Sequence, residues 1–297
     1  MKILKERYPK GSFKGQHTDG RYMDGILYEN LKIMAKNIAK DMTFMGVVSS
    51  STLEVGTGKS TVVQQMAEAY TDLVNQYHGT NIEFKTENIV FRPKALIERA
   101  FKLPKYSCVI LDEWEDAHFW SDLGVSLRQF FRKCRQLNLF IIIIIPNYFQ
   151  LPMNYAISRS LFFMDVKFEG EFERGYFDFY SFNKKKDLYL KGKKTHNYGV
   201  VKADFSGRFL DGYAVPEREY RKAKHDDMIE SEEREKDLTP AQIKVQMYKE
   251  LRETLKELTI KDWARGFKVS ERTISRWNAK DSVDIGNIPS KEADVSP

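Results

Sequence analysis

The sequence predicts an α/β protein with a mainly parallel sheet, a β-rich extension and a small C-terminal helical domain. Between residues 25 and 165, short apolar runs alternate with helically spaced apolar residues, which is typical of strands joined by helical crossovers. Residues 166–222 alternate apolar or aromatic side chains with polar ones, which indicates antiparallel strands. The acidic segment at 223–237, which we interpret as a solvated linker or an exposed helix, then leads to helical spacing at 238–280.

The composition is that of a folded protein with roughly two domains. Hydrophobic residues make up 42% of the 297 positions and charged residues 30%, which excludes a wholly disordered or collagen-like chain. The net charge of +6 is compatible with a nucleic-acid partner.

The cysteine pattern and the lack of long apolar runs predict the compartment. Cys108 and Cys134 lie in apolar or helical patterns and no CxxC pair occurs, which favours a reducing compartment and disfavours a zinc site. No apolar run approaches the roughly 20 residues that span a bilayer, and no signal-peptide pattern occurs at the start. We therefore expect a cytoplasmic or virus-associated protein with no membrane partner.

The elements of the core are predicted in order from the spacing of apolar residues. Residues 1–24 are basic and rich in glycine and tyrosine, and we interpret them as an N-terminal arm or loop. Helical stripes occur at 26–41, 61–76, 93–101 and 123–137, and apolar strand-like runs at 42–51, 88–91, 106–111 and 140–145. The last run is apolar throughout, which is typical of a central strand with both faces covered. Beyond residue 160 we expect antiparallel strands with turns at Gly170 and near Asn183.

Residues 56–61 read Gly-Thr-Gly-Lys-Ser-Thr between a predicted strand and a predicted helix. This is the context of a phosphate-binding P-loop, in which backbone N–H groups and the helix N-terminus bind the β- and γ-phosphates of ATP. Lys59 would neutralise the phosphates, and the Ser60 hydroxyl would ligate Mg²⁺. The full motif has glycine at position 53, where this chain has Leu53, so we expect a different bend into the loop. The predicted nucleotide-binding residues are Val55, Gly56, Thr57, Gly58, Lys59, Ser60 and Thr61.

A second motif, at 108–113, is an apolar strand that ends in two acids. Asp112 is predicted to hold Mg²⁺ through water, and Glu113 to orient or deprotonate the attacking water. Each motif alone is a modest signal, and the alternative for the acids is a solvated loop after a strand. Their order and spacing together predict a P-loop NTPase core at 25–165 with ATP and Mg²⁺ as cofactors.

Polar and basic side chains around the next strand complete the predicted catalytic set. Asn147, or alternatively Gln150, is predicted to lie between metal-bound water and the γ-phosphate, although a plain turn residue is the other interpretation. Phosphoryl transfer needs extra positive charge at the transition state, so an arginine acting in a neighbouring subunit's site is expected. A solvated helix face is the alternative for each one. The candidates are Arg128, Arg132, Arg135 and Arg159, with Arg132 and Arg159 preferred.

The order of the motifs resembles that of the additional-strand P-loop ATPases. The motifs are GTGKST, then CVILDEWEDA, then an arginine-rich helix, then IIIIIPNYFQLP. That group includes the HerA/FtsK DNA pumps and the zonular-occludens-toxin-like ATPases of phages, viruses and plasmids. The resemblance covers residues 43–165. It implies a core that assembles as a homo-oligomeric ring, hydrolyses ATP between subunits and translocates or packages double-stranded DNA. The toxin-like branch often carries a membrane segment; none is predicted here, which favours a DNA-acting enzyme of a mobile element.

Residues 238–280 predict a helix-turn-helix, with ten basic and five acidic residues. The pattern gives a helix at 260–265, a turn containing Gly266 and a second helix with Ser270 as N-cap. A helical hairpin that contacts protein is the alternative, and 281–297 is interpreted as a disordered tail. The predicted small core comprises Trp263, Ala264, Val269, Ile274 and Trp277. The predicted DNA-binding face comprises Arg272, Thr273, Ser275 and Arg276.

The leading functional interpretation is an ATP-hydrolysing motor that acts on DNA. The main alternative is an ATP-dependent DNA-binding regulator or partition-type switch. A packaging terminase is disfavoured because 160–220 shows no acidic triad for a nuclease, and a small-molecule kinase because no lid motif accompanies the acids. A lysine cluster at 184–194 either tracks a DNA backbone or protects a sheet edge.

Overall fold

The structure is a computed structural model. It describes residues 15–18, 21–52, 56–112, 129–169, 172–237, 244–245, 247–248, 252 and 258–279. The chain divides into two compact units, Met1–Lys224 and His225–Pro297.

The first unit is organised by a seven-stranded sheet with the order β4-β5-β6-β3-β7-β8-β9. The first five strands in this order are parallel, whereas β8 and β9 are antiparallel to their neighbours. The mostly parallel α/β architecture predicted from the sequence is therefore confirmed. The sheet strands are β3 (Phe44–Ser49), β4 (Ile89–Val90), β5 (Cys108–Leu111), β6 (Phe140–Ile144), β7 (Phe162–Glu169), β8 (Glu173–Tyr180) and β9 (Phe205–Arg208).

Apolar side chains on both faces of β6 explain why this strand lies inside the sheet. Phe140, Ile142 and Ile144 pack into one hydrophobic cluster, and Ile141 and Ile143 into the cluster on the opposite face. A strand that is buried on both faces reads as a continuous apolar run. The prediction of a central strand at 140–145 is confirmed.

The helices of the first unit begin and end where local chemistry favours it. The helices are α1 (Gly25–Asn37), α2 (Lys59–His78), α3 (Pro93–Lys102) and α4 (Phe182–Gly192), and α5 (Glu217–Asp237) begins there. Asp24 caps α1 by accepting the N–H groups of Ile26 and Leu27, both at 3.0 Å. Gly79 ends α2 in the left-handed region, with φ 63°. The helix predicted at 123–137 is described only from 129, as helix to 133 and as a 3₁₀ turn at Cys134–Leu137.

The turn predicted near Asn183 is wrong, because α4 occupies 182–192. Lys185, Leu188, Tyr189 and Gly192 are buried at helical spacing, and a lysine in this apolar stripe hides the pattern. The Lys185 ammonium is satisfied in the interior by donating to the carbonyl oxygens of Ala156 and Ile157, both at 2.7 Å. The lysine cluster therefore lies on α4 and in the turn that follows it, and not on a strand. The turn predicted at Gly170 lies outside the described residues.

Two further regions differ from the pattern expected of them. The arm at 1–24 contains a hairpin of β1 (Gly15–Thr18) and β2 (Arg21–Asp24), and Tyr22 and Met23 are buried. The β-rich region extends the main sheet, because β7 pairs in parallel with β3. By contrast, residues 223–237 are helical as part of α5, so the helix is the correct one of the two interpretations of this acidic segment.

The second unit contains α6 (Ile260–Phe267) and α7 (Glu271–Ala279). Ser270 caps α7, since its Oγ accepts the Thr273 N–H at 3.2 Å, as predicted. The predicted turn position of Gly266 is wrong: this residue lies within α6, and Lys268 takes the left-handed conformation with φ 53°. The buried residues are Tyr248, Trp263, Ala264, Ile274 and Trp277, which matches the predicted core except that Val269 is partly buried and Tyr248 is added.

Candidate functional site

Ser60 and Asp112 meet at the carboxyl edge of the parallel strands. The chain leaves β3 towards residues 56–61 and leaves β5 at Asp112, and carboxyl ends of parallel strands share one edge. The Ser60 Oγ donates to Asp112 Oδ1 at 3.0 Å, across 52 positions of sequence. The structure thus brings together two residues that the sequence assigned to one metal site.

The turn before α2 has a conformation that requires glycine. Gly56 and Gly58 have φ values of 89° and 95°, in the left-handed region. A Cβ on Gly58 would lie 2.8 Å from the Phe209 ring, so the position is also crowded. Lys59 begins α2, whose N-terminus has no side-chain cap among the described residues. An uncapped helix N-terminus behind a glycine turn is an anion-binding arrangement.

One buried polar atom in this turn also favours a bound ligand. Thr57 is fully buried, and its Oγ1 has no hydrogen-bond partner within the described part of the chain. Such an atom is costly unless something pairs with it. Thr61 is half-buried in the first turn of α2. Leu53 and Val55 lie outside the described residues, so the predicted bend and the role of Val55 stay predictions.

Asp112 is a buried carboxylate held by two hydroxyl groups. Its side chain has 1% exposure, Oδ1 accepts from Ser60 and Oδ2 accepts from the Tyr220 hydroxyl at 2.5 Å. Burial, followed by the Asp112 charge, raises the pKa of Tyr220 well above its usual range, so this phenol is a donor at neutral pH. Sequence reasoning missed Tyr220, because no motif surrounds it.

The segment after β9 and the start of β8 frame the same turn. The ring of Phe209 lies against Gly58, and a Cβ on Gly56 would lie 3.3 Å from Arg174 Nη2. Gln65 of α2 donates to the carbonyl oxygens of Leu210 and Gly212, at 2.7 and 2.9 Å. Arg174 is a basic residue at this edge that sequence reasoning also missed. In the sequence it is only a charged residue within a predicted strand, and no motif marks it.

Asn147 lies at the expected edge, but its carboxamide binds the protein itself. Its Oδ1 accepts from the Phe149 N–H at 2.9 Å and from the Tyr198 hydroxyl at 3.3 Å. Its Nδ2 lies 3.2 Å from His196 Nδ1. These contacts make Asn147 the cap of the 3₁₀ turn Tyr148–Gln150, and its role beside a γ-phosphate stays a prediction. Gln150 is exposed at the end of that turn.

Arg132 and Arg159 are exposed at the opposite edge of the sheet. The Thr43 hydroxyl, just before β3, donates to Cys134 O at 2.8 Å, and the Leu161 N–H donates to Met45 O at 2.7 Å. Both contacts lie at the amino end of β3, so neither arginine meets residues 56–61 of its own chain. An action in a neighbouring subunit stays a prediction. Glu113 and Arg128 lie outside the described residues.

The predicted DNA-contacting residues lie on α7. Arg272, Ser275 and Arg276 are exposed, whereas Thr273 is half-buried and its hydroxyl lies 2.8 Å from Ser270 Oγ. Ser275 Oγ donates back to Glu271 O at 3.0 Å. The two arginines are thus the long charged side chains that this face exposes to solvent.

A magnesium ion would fit the residues at the carboxyl edge. Among the described residues no group of three or more His, Cys, Asp or Glu could hold a metal. Mg²⁺ is commonly held by one or two protein groups together with phosphates and water. Ser60 and Asp112 match that donor set, and the orphaned hydroxyl of Thr57, three residues before Ser60, is consistent with a ligand in the turn.

No protein-family model, curated protein or solved structure matches the chain. In the described part of the chain, no helix combines the length and the hydropathy needed to cross a membrane. What the chain does is therefore inferred from its own residues and their contacts.

Proposed function

We propose that this protein is an ATP hydrolase that binds Mg²⁺·ATP at residues 56–61 and works as a motor on double-stranded DNA. The observation that carries the proposal is the Ser60–Asp112 hydrogen bond, which lies at an uncapped helix N-terminus behind a glycine turn. The hydroxyl of Ser60 and the carboxylate of Asp112 are oxygen groups of the kind that holds Mg²⁺ together with phosphates and water. A cytoplasmic or virus-associated location belongs to the same proposal.

Each residue of the edge has a chemical role in this proposal. The backbone of 56–58 and the first turn of α2 bind the phosphates, and Lys59 neutralises their charge. The Ser60 hydroxyl would hold Mg²⁺, and Asp112 would help to hold it through water. When bound, Mg²⁺ offsets the charge that develops on the phosphate oxygens. Glu113 then accepts a proton from the attacking water, and Arg174 adds positive charge beside Gly56.

The DNA part of the proposal is supported by exposed basic residues in both units. In the second unit, Arg272 and Arg276 project from a capped helix, as in a helix that enters a major groove. In the first unit, α4 and the residues after it expose a lysine face, and phosphate charge would attract it. The exposed lysines of that face are Lys186, Lys191, Lys193 and Lys194.

A nucleotide-controlled DNA-binding switch is the second candidate, and one observation favours it. The Asn147 carboxamide is engaged by Phe149 and Tyr198, and Arg132 and Arg159 lie away from the turn at 56–58. Among the described residues, the contributions predicted for Asn147, Arg132 and Arg159 are therefore not assembled within one chain. A motor would regain the arginine from a neighbour in a ring. A switch would need neither a ring nor a rapid turnover.

The experiment is ATP hydrolysis measured with and without duplex DNA, together with the assembly size under the same conditions. We expect DNA to stimulate turnover, a ring-sized assembly with ATP, and loss of turnover but not of ATP binding in Glu113→Gln. Mixing Arg159→Ala subunits with Lys59→Ala subunits should restore part of the activity if sites are shared. If a monomer or dimer hydrolyses ATP at the same rate with and without DNA, the motor proposal is contradicted and the switch remains as the candidate function.

A further inference from the structure

Tyr220 is a buried residue in an otherwise exposed first turn of a helix. It is 3% exposed, while Glu217, Arg218, Glu219 and Arg221 around it in α5 are exposed. Its hydroxyl donates to Oδ2 of Asp112, a residue 108 positions away, whereas Ser60 donates to Oδ1 of the same carboxylate. The helix thus sends one side chain into the candidate metal site.

Several contacts hold this turn in place. The Pro216 carbonyl accepts the N–H groups of Glu219 and Tyr220, at 3.0 and 3.1 Å. The Thr86 hydroxyl donates to Glu219 Oε2 at 3.2 Å. The Tyr220 ring packs on Tyr213, with centroids 4.9 Å apart, and lies 6.2 Å from Phe91. The hydroxyl is therefore delivered to Asp112 in a fixed position.

Two donors on one carboxylate restrict its rotation. With Oδ2 bound to Tyr220, the carboxylate presents Oδ1 to Ser60. Without the phenol, one of these two constraints on the terminal torsion is lost, and that torsion is intrinsically broad. A carboxylate that acts through a metal-bound water depends on orientation, because groups next to metal ligands set the ligand geometry.

We propose that Tyr220 is a positioning residue of the Mg²⁺ site, which fixes the Asp112 carboxylate and ties the start of α5 to the bound metal and nucleotide. The inference rests on the proposed ATP site. It assigns no contact between Tyr220 and the substrate. A purely structural tyrosine would change stability alone, whereas a positioning tyrosine also changes the dependence of nucleotide binding on Mg²⁺.

The test compares Tyr220→Phe with Tyr213→Phe in the full chain. Both variants keep the aromatic ring, but only the first removes a donor to Asp112, and melting temperatures check that both fold. Binding of a fluorescent N-methylanthraniloyl ATP is titrated against MgCl₂, and the steady-state KM and kcat are measured. We expect Tyr220→Phe to need about tenfold more Mg²⁺ for half-saturation, because a hydrogen bond to a charged group is lost. Binding in EDTA should not change, and Tyr213→Phe should match the wild type.

A milder variant keeps the proposal testable if Tyr220→Phe does not fold. Thr86→Val removes the hydroxyl that anchors Glu219, one residue before Tyr220, and should raise the Mg²⁺ requirement by a smaller factor. A wild-type Mg²⁺ dependence in Tyr220→Phe, or in Thr86→Val where Tyr220→Phe does not fold, overturns the positioning role and leaves the ATP site standing. A wild-type protein that binds no nucleotide with Mg²⁺ overturns the proposed function and this inference together.

Discussion

Replacing Gly58 by alanine tests the shape of the glycine turn. The φ of 95° costs a residue with a Cβ about 1–2 kcal/mol, as for other left-handed positions. The added Cβ would lie 2.8 Å from the Phe209 ring, and overpacking of this kind costs about 1–3 kcal/mol. Together the two effects predict a loss of about 2–5 kcal/mol in the free energy of unfolding of the first unit.

Gly79 supplies the matched control, because it ends the same helix at φ 63° and a Cβ added there would have nothing within 4 Å among the described residues. Gly79→Ala should cost about 1–2 kcal/mol, from the backbone alone. The assay is chemical denaturation followed by circular dichroism, with ATP binding measured in parallel. Phe209 is itself buried, so its removal destabilises the protein on its own, and the comparison is a double-mutant cycle: in a Phe209→Ala background, Gly58→Ala should cost only the backbone part. The reasoning is refuted if Gly58→Ala costs no more than Gly79→Ala.

Two further predictions concern a buried acid and the DNA-contacting face. Burial raises the pKa of Asp165 to about 6, so the folded protein holds a proton that the unfolded chain releases near pH 4. The free energy of unfolding should therefore fall as the pH rises from about 4 to about 6. In Asp165→Asn, denaturation curves should show a smaller fall over the same pH range. Arg272→Ala and Arg276→Ala should each weaken duplex binding, by about 1–3 kcal/mol and in a sequence-dependent way if the side chain meets a guanine. Equal losses on all sequences with a shallower salt slope would show phosphate contact instead, and unchanged binding at low salt would reject the DNA role of α7.

Local patterns were sufficient for most of the first unit. The apolar run at 140–145 and the helical stripe that became α2 specify burial directly, so both were predictable. The meeting of Ser60 and Asp112 also followed, because strand order places both at one edge of the sheet.

The parts that were missed depend on contacts between distant segments. The helix α4 was hidden because its buried stripe includes Lys185, whose burial depends on carbonyl groups of Ala156 and Ile157. Tyr220 reaches Asp112 only because the segment after β9 returns across α2. In the second unit, α6 ends at Lys268 in the left-handed conformation, so the turn that was predicted to contain Gly266 begins after that glycine.

The central claim is that residues 56–61, with Asp112, bind Mg²⁺·ATP. Isothermal titration of ATP with Mg²⁺ into the wild type, into Lys59→Ala and into the exposed control Lys94→Ala tests it most directly. The account predicts saturable binding to the wild type and to Lys94→Ala, and loss of most of that affinity in Lys59→Ala. Equal binding by Lys59→Ala and the wild type, or no binding by any of the three, would contradict it.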